Sequence, residues 1–235
     1  DDEIINNNIA LINTISINME WKYEFYENRS LLFGYDDILY QNTISRAVFG
    51  SFSEEDVYFL NGEEIKAITL PLKKYGDTQL EYIAIMSENY KLKEFIEKIY
   101  FEDINTIIDN EISASESAEG NGIYVIMPSY HHDYSIDLVN DLKALGIKKI
   151  FANYPDLSGI TNDHIAISTI KQKADITFSD IGLMTNANPI YYEMKNNLKN
   201  TTINRPVLVF NKPYIYIIRD SDTKEVWFVG TVYNP

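Results

Sequence analysis

Cysteine is absent from the 235 residues. No disulfide framework and no thiolate zinc site can therefore form. A domain of this size needs no disulfide, so the compartment stays open. Glycine and proline are scarce, 10 and 7 residues, which excludes collagen-like and proline-rich disordered chains. Basic residues are outnumbered, 20 against 35 acidic, for a net charge of −15. Such a surface repels phosphate backbones and anionic headgroups, so nucleic acid and membrane are discounted as partners. No apolar run approaches a membrane span, and no signal peptide leads the chain. It opens on "DDEIINNN" without a Met, which fits an earlier segment being absent.

What is present is enough apolar material for a core: 45% of residues are hydrophobic. The 18 tyrosines suit half-buried sheet faces, where a ring packs and a hydroxyl stays wet. Two glycosylation sequons occur, at Asn28 and Asn200, a number that chance allows in so Asn-rich a chain.

Strand patterns recur along the chain. Ile9 to Ile17 is an almost continuous apolar run and reads as a buried strand. Ala47 to Phe52, Glu55 to Leu60, Ile65 to Leu72 and Leu80 to Met86 follow, the last two joined by a Gly-Asp turn. Helical spacing then appears at Leu92, Phe95, Ile96 and Ile99, and at Ile104, Ile107 and Ile108. Ser113 to Gly122 reads as a polar loop, and Ile123 to Met127 as a strand. Ser135 is placed to cap a helix over Ile136 to Leu145, ended by Gly146. Ile165 to Phe178 alternates as a strand, and the C-terminus supplies a hairpin turning at Ser221 to Lys224. The expected class is α+β in one domain over residues 1–235, with mostly antiparallel sheets and a few short helices.

Chemistry-bearing motifs are sparse. His131-His132 and His164 are the only histidines, and neighbouring strand residues point to opposite faces. A polar loop after Pro128 is the reading for the pair. No phosphate loop, no G-x-S-x-G motif and no paired-carboxylate motif is legible. The expectation is no enzyme, no cofactor and no metal.

The C-terminal residues are more specific. Asn211-Lys212-Pro213-Tyr214 and Phe228-Val229-Gly230-Thr231-Val232-Tyr233-Asn234-Pro235 resemble the closing signature of the serpins, the serine protease inhibitor family. "LINTISINMEWKYEF", "TLPLKKYGDTQLEYIAIM", "MPSYHHDYSIDLVNDLKALGIKKIF" and "DLSGIT" resemble further family motifs in the right order. The resemblance is to the C-terminal two-thirds of a member. It implies a truncated or minimal, reduced viral-type serpin lacking the family's N-terminal helices, with extracellular location favoured.

The resemblance also implies an inhibitory loop from Gly182 to Asn204 that a protease takes as substrate and that then inserts into the large sheet. Its hinge falls on Gly182, Leu183, Met184, Thr185, Ala187 and Pro189. Leu183 is larger than the family's Thr, and Pro189 lacks the N–H a central strand needs. The scissile bond falls among Met194, Lys195, Asn196, Asn197 and Lys199. Asn13, Trp21, Gln172 and Asp180 match the region where the sheet opens. Ser129 stands where the family has a basic partner for the acidic residue, so that ion pair is expected to be lost. The implied partner is a target protease, or a protein ligand of the loop in a non-inhibitory decoy. A partner chain or self-association through the exposed edge of Ile9 to Ile17 is a third expectation.

Overall fold

The computed structural model describes residues 8–34, 43–117, 122–152, 155–160, 165–184 and 205–235. They form an α+β fold of three sheets, with three α-helices, all after residue 90. The chain divides into two compact units, residues 1–17 with 132–176, and residues 18–131 with 177–235.

In the first unit, β1 (Asn8–Ser16) runs parallel to β11 (Ala166–Phe178), whose last two residues belong to the second unit. The pairing shifts once, after Ile9, and then runs without a break from Ala10/Thr169 to Ser16/Asp175. β10 (Tyr130–Asp137) also pairs with β11. The expected buried strand at Ile9 to Ile17 is corrected: Leu11 and Ile12 are 45% and 53% exposed. Among the described residues β1 is paired on one edge only, so an apolar run does not by itself bring burial.

The helix expected from Ile136 is also corrected. Residues 130–137 are extended, and α3 is only Val139–Ala144. Pairing with β11 continues to Leu138, whose N–H donates to the Ile170 carbonyl at 2.7 Å. The short acceptor next to the first free helical N–H is thus Asp137, not Ser135: Val139 N–H donates to Asp137 Oδ1 at 2.9 Å. The expected apolar face stays uncovered, with no α3 residue buried and Leu145 at 79% exposure. His131 and His132 lie in β10 rather than in a loop, while His164 lies outside the described residues.

The second unit holds two sheets and most of the core. A six-stranded sheet runs β15-β14-β7-β6-β5-β8. Its members are β5 (Tyr58–Asn61), β6 (Ile65–Pro71), β7 (Leu80–Ser87), β8 (Ile112–Ser113), β14 (Tyr214–Asp220) and β15 (Val226–Val232). β7 is buried along its whole length, and its apolar run Tyr82–Met86 suits a strand covered on both faces. Ile83 and Ile85 of β7 and Ile215 and Ile217 of β14 pack beneath Leu92 and Phe95 of α1 (Leu92–Lys98) and Ile107 of α2 (Phe101–Asp109). The alternate residues Tyr82, Tyr214 and Tyr216 turn to the other face. Ser113, expected to open a polar loop, instead ends β8 and leads into a 3-10 turn over Ala114–Glu116.

A four-stranded sheet runs β13-β9-β4-β3, from β3 (Tyr26–Phe33), β4 (Thr43–Phe52), β9 (Ile123–Pro128) and β13 (Val207–Val209). β3 was not legible, because "YENRSLLF" has no alternation. The remaining pieces, β2 (Met19–Glu20) and β12 (Gly182–Met184), extend the pairing at the end of β11.

Candidate functional site

The site starts where β11 ends. Phe178 is fully buried, and its ring stacks on Tyr130 with centroids 5.3 Å apart. Trp21 and Tyr82 each lie 5.1 Å from the same ring. Tyr82 and Tyr130 share a hydrogen bond between their hydroxyls at 3.1 Å, and burial pushes both phenols well above their ordinary pKa. The chain thus leaves β11 from a rigid aromatic anchor.

It then turns back within Ser179 to Gly182. Ser179 N–H donates to the Gly182 carbonyl at 3.0 Å. Ser179 Oγ donates to the same carbonyl at 3.2 Å and accepts from Ile181 N–H at 3.3 Å. A hydroxyl two residues ahead of an amide forms such a turn without cost to the ladder. Asp180 sits half-exposed inside the turn.

After the turn, β12 runs antiparallel to β11, with Leu183 opposite Phe178 and Met184 opposite Thr177. Its other edge pairs antiparallel with β2, Gly182 opposite Glu20 and Leu183 opposite Met19. Leu183 is fully buried. Gly182 has no room for a side chain: a Cβ would run into the Met19 carbonyl and lie 2.7 Å from Glu20 Cα. Trp21 closes the arrangement from the next position. Its backbone N–H donates to the Ile181 carbonyl at 2.9 Å and its indole Nε1–H to the Ser179 carbonyl at 2.8 Å.

Trp21, Asp180, Gly182, Leu183 and Met184 therefore come together, as the sequence reading places them. Asn13 and Gln172 face each other on the β1–β11 pair. Thr185, Ala187 and Pro189, and Met194, Lys195, Asn196, Asn197 and Lys199, lie outside the described residues, as does the rest of the expected loop up to Asn204. Ser179, Met19 and Glu20 were missed by sequence reasoning. The Ser179-x-x-Gly182 spacing after a strand was a turn signal that could have found the first. Among the described residues no three His, Cys, Asp or Glu side chains gather to hold a metal. No helix of the described residues is long and apolar enough to cross a membrane.

The serpin (serine protease inhibitor) family model matches residues 3–235. Serine protease inhibitor 2 of Anopheles gambiae is 24% identical over 239 aligned residues, covering 97% of this chain and 54% of the mosquito protein. The chain spans about half the length of that relative. Serpin48 of Tenebrio molitor superposes with a TM-score of 0.73 at 22% identity, and thyroxine-binding globulin in complex with thyroxine with 0.77 at 16%. Each match covers 100% of this chain and 59% of the solved one.

These matches correct the reading of the chain as a C-terminal two-thirds, truncated member. One family domain spans residues 3–235, essentially all of it. The chain belongs to the serpin family, whose fold is that of non-catalytic serine protease inhibitors.

Proposed function

We propose that the protein is a suicide-substrate inhibitor of a serine or cysteine protease, working through the chain from Gly182 to Asn204. The observation that carries this reading is the hinge: Gly182–Met184 leaves β11 through a tight turn and enters the sheet antiparallel to it. That is the direction a loop must take to add a strand.

In the proposed reaction the protease nucleophile attacks a carbonyl within Met194 to Lys199. The peptide C–N bond breaks, the new amine takes the proton, and an ester or thioester to the protease remains. Lys195 and Lys199 suit a trypsin-like enzyme, and Asn196 an asparagine-directed one. The freed segment then zips onward from Met184, through Thr185 and Ala187. Both are small enough for the sheet's buried face.

A protease panel tests this. A protease–serpin complex that survives SDS, with a raised Tm of the cleaved protein, is the expected result. Clean cleavage with no complex and an unchanged Tm would sink it.

A second reading is a non-inhibitory binding or decoy protein. It is favoured by Pro189 in the hinge, and one similar fold is that of thyroxine-binding globulin in complex with thyroxine. Self-association through β1 is favoured by the exposed Leu11 and Ile12 and is read directly from the sedimentation mass.

A further inference from the structure

Arg205 is the first described residue after the proposed loop, which ends at Asn204. It stands two residues before β13, the edge strand of the four-stranded sheet. β13 pairs parallel with β9, from Val207 opposite Tyr124 to Val209 opposite Ile126. So short a pairing is weak on its own, because few bonds hold it and parallel ladders are the less stable kind.

The two ends of β13 are held differently. At its C-terminal end Phe210 N–H donates to the Ile126 carbonyl at 2.9 Å, and the fully buried Phe210 ring meets Tyr214 with centroids 5.2 Å apart. At its N-terminal end Tyr124 N–H donates to the Pro206 carbonyl at 2.9 Å. Beyond that bond the hold is a side chain. The Arg205 guanidinium lies over the Tyr124 ring, 5.2 Å from its centroid, and Nη1 donates to Ser51 Oγ. Tyr124 stands between Val207 of β13 and Ser51 of β4, so the three side chains share one face of the sheet. Arg205 thus reaches across β9 to β4. A planar guanidinium suits this span, since its face rests on a ring while its edge N–H groups donate outward.

We infer that Arg205 is a positioning residue: strapped over Tyr124 to Ser51, it fixes the point where the proposed loop joins the four-stranded sheet. The strap stands on its own geometry, while its effect on a protease rests on the inhibitory reading. With the strap released, the bond from Tyr124 to Pro206 becomes the last one of a fraying edge, and the loop gains slack from residues 205 and 206. A bait tied to a fixed post is presented in fewer conformations, so less ordering is left for the protease to impose. Arg205 lies on the C-terminal side of the proposed cut within Met194 to Lys199. It therefore acts on capture of the protease, not on the segment that inserts after cleavage.

Hydrogen exchange on the uncut protein reads the strap. In Arg205→Gln, peptides covering 122–126 and 205–209 are expected to exchange about fivefold faster, with β7 peptides unchanged. Tyr124→Leu is expected to match it, the double variant to be no worse than either, and Tyr124→Phe to restore slow exchange because the ring face is kept. Kinetics with a captured protease read the positioning. Arg205→Gln is expected to slow complex formation about fivefold, while the split between complex and cleaved protein and the Tm gained on cleavage match the wild type. Wild-type exchange in Arg205→Gln, or losses that simply add in the double variant, overturns the strap. Faster exchange with an unchanged rate of complex formation, or a Tm gain lost along with that rate, overturns the positioning role. Should no protease form a complex with the wild type, the inhibitory reading falls and the rate of loop cleavage replaces that of complex formation. An about fivefold slower cut in Arg205→Gln then supports the positioning role, and an equal one overturns it.

Discussion

Asn13 of β1 and Gln172 of β11 occupy one rung of a parallel strand pair. Pro189 is the one proline of the proposed loop from Gly182 to Asn204. A loop that inserts as a strand after cleavage would lack one backbone N–H at that residue. Proline there forfeits a ladder hydrogen bond, which costs about 1–3 kcal/mol when the partner is buried.

Pro189→Ala is expected to raise both the fraction of protease trapped and the Tm gained on loop cleavage. SDS gels and calorimetry before and after nicking measure the two. Equal values for variant and wild type would show that insertion does not reach Pro189.

Glu111 follows α2 and accepts a hydrogen bond from Thr69 Oγ1 at 2.7 Å, while its Oε1 is buried with no partner among the described residues. Desolvation, with a smaller push from Glu81, raises its pKa to about 8, against the opposing pull of the Thr69 hydrogen bond and Arg219. The folded chain thus holds a proton that the unfolded chain releases at the ordinary carboxylate value. Stability is full below that value. It falls as pH rises toward about 8 and then levels off. The slope from this group is at most about 1.4 kcal/mol per pH unit. Urea unfolding across this range should show the decline, and Glu111→Gln should flatten it. A slope identical in the variant would exclude Glu111 as its source.

Glu81 and Arg219 stand directly opposite on β7 and β14, joined Nε to Oε1 at 2.5 Å, with both side chains 11% exposed. Glu81→Ala strands the Arg219 charge in the sheet and is expected to cost about 3–5 kcal/mol. Replacing both with apolar residues of like volume should cost much less, because no charge is left unpaired. Denaturant midpoints of the two variants decide this. A double variant as unstable as the single one would mean that packing, not charge, sets the loss.

How much of this was legible depended on what each segment packs against. β7 and β14 were plain, since their apolar runs Tyr82–Met86 and Tyr214–Ile218 are buried on both faces. The helices over Leu92 and Phe95 were plain because their spacing matches one covered face. β1 misled for the opposite reason. Its apolar run reports an intended neighbour, and a sequence does not show whether one is there. The helix placed at Ser135 failed because a strand partner, Ile170, competes for the same residues through contacts distant in sequence. The seat of Leu183 depends on two registers at once, those with β11 and β2, which no local pattern encodes.

The aromatic anchor at the end of β11 has one more consequence, an optical one. Ionising a tyrosine phenol, ordinarily at about pH 10, raises its near-ultraviolet absorbance. Tyr82, Tyr130 and Tyr214 keep their protons far beyond that point, because a buried phenolate would lose its hydration. Their absorbance step can come only when the sheet itself opens, so the molecule carries its own indicator of whether its core is still shut.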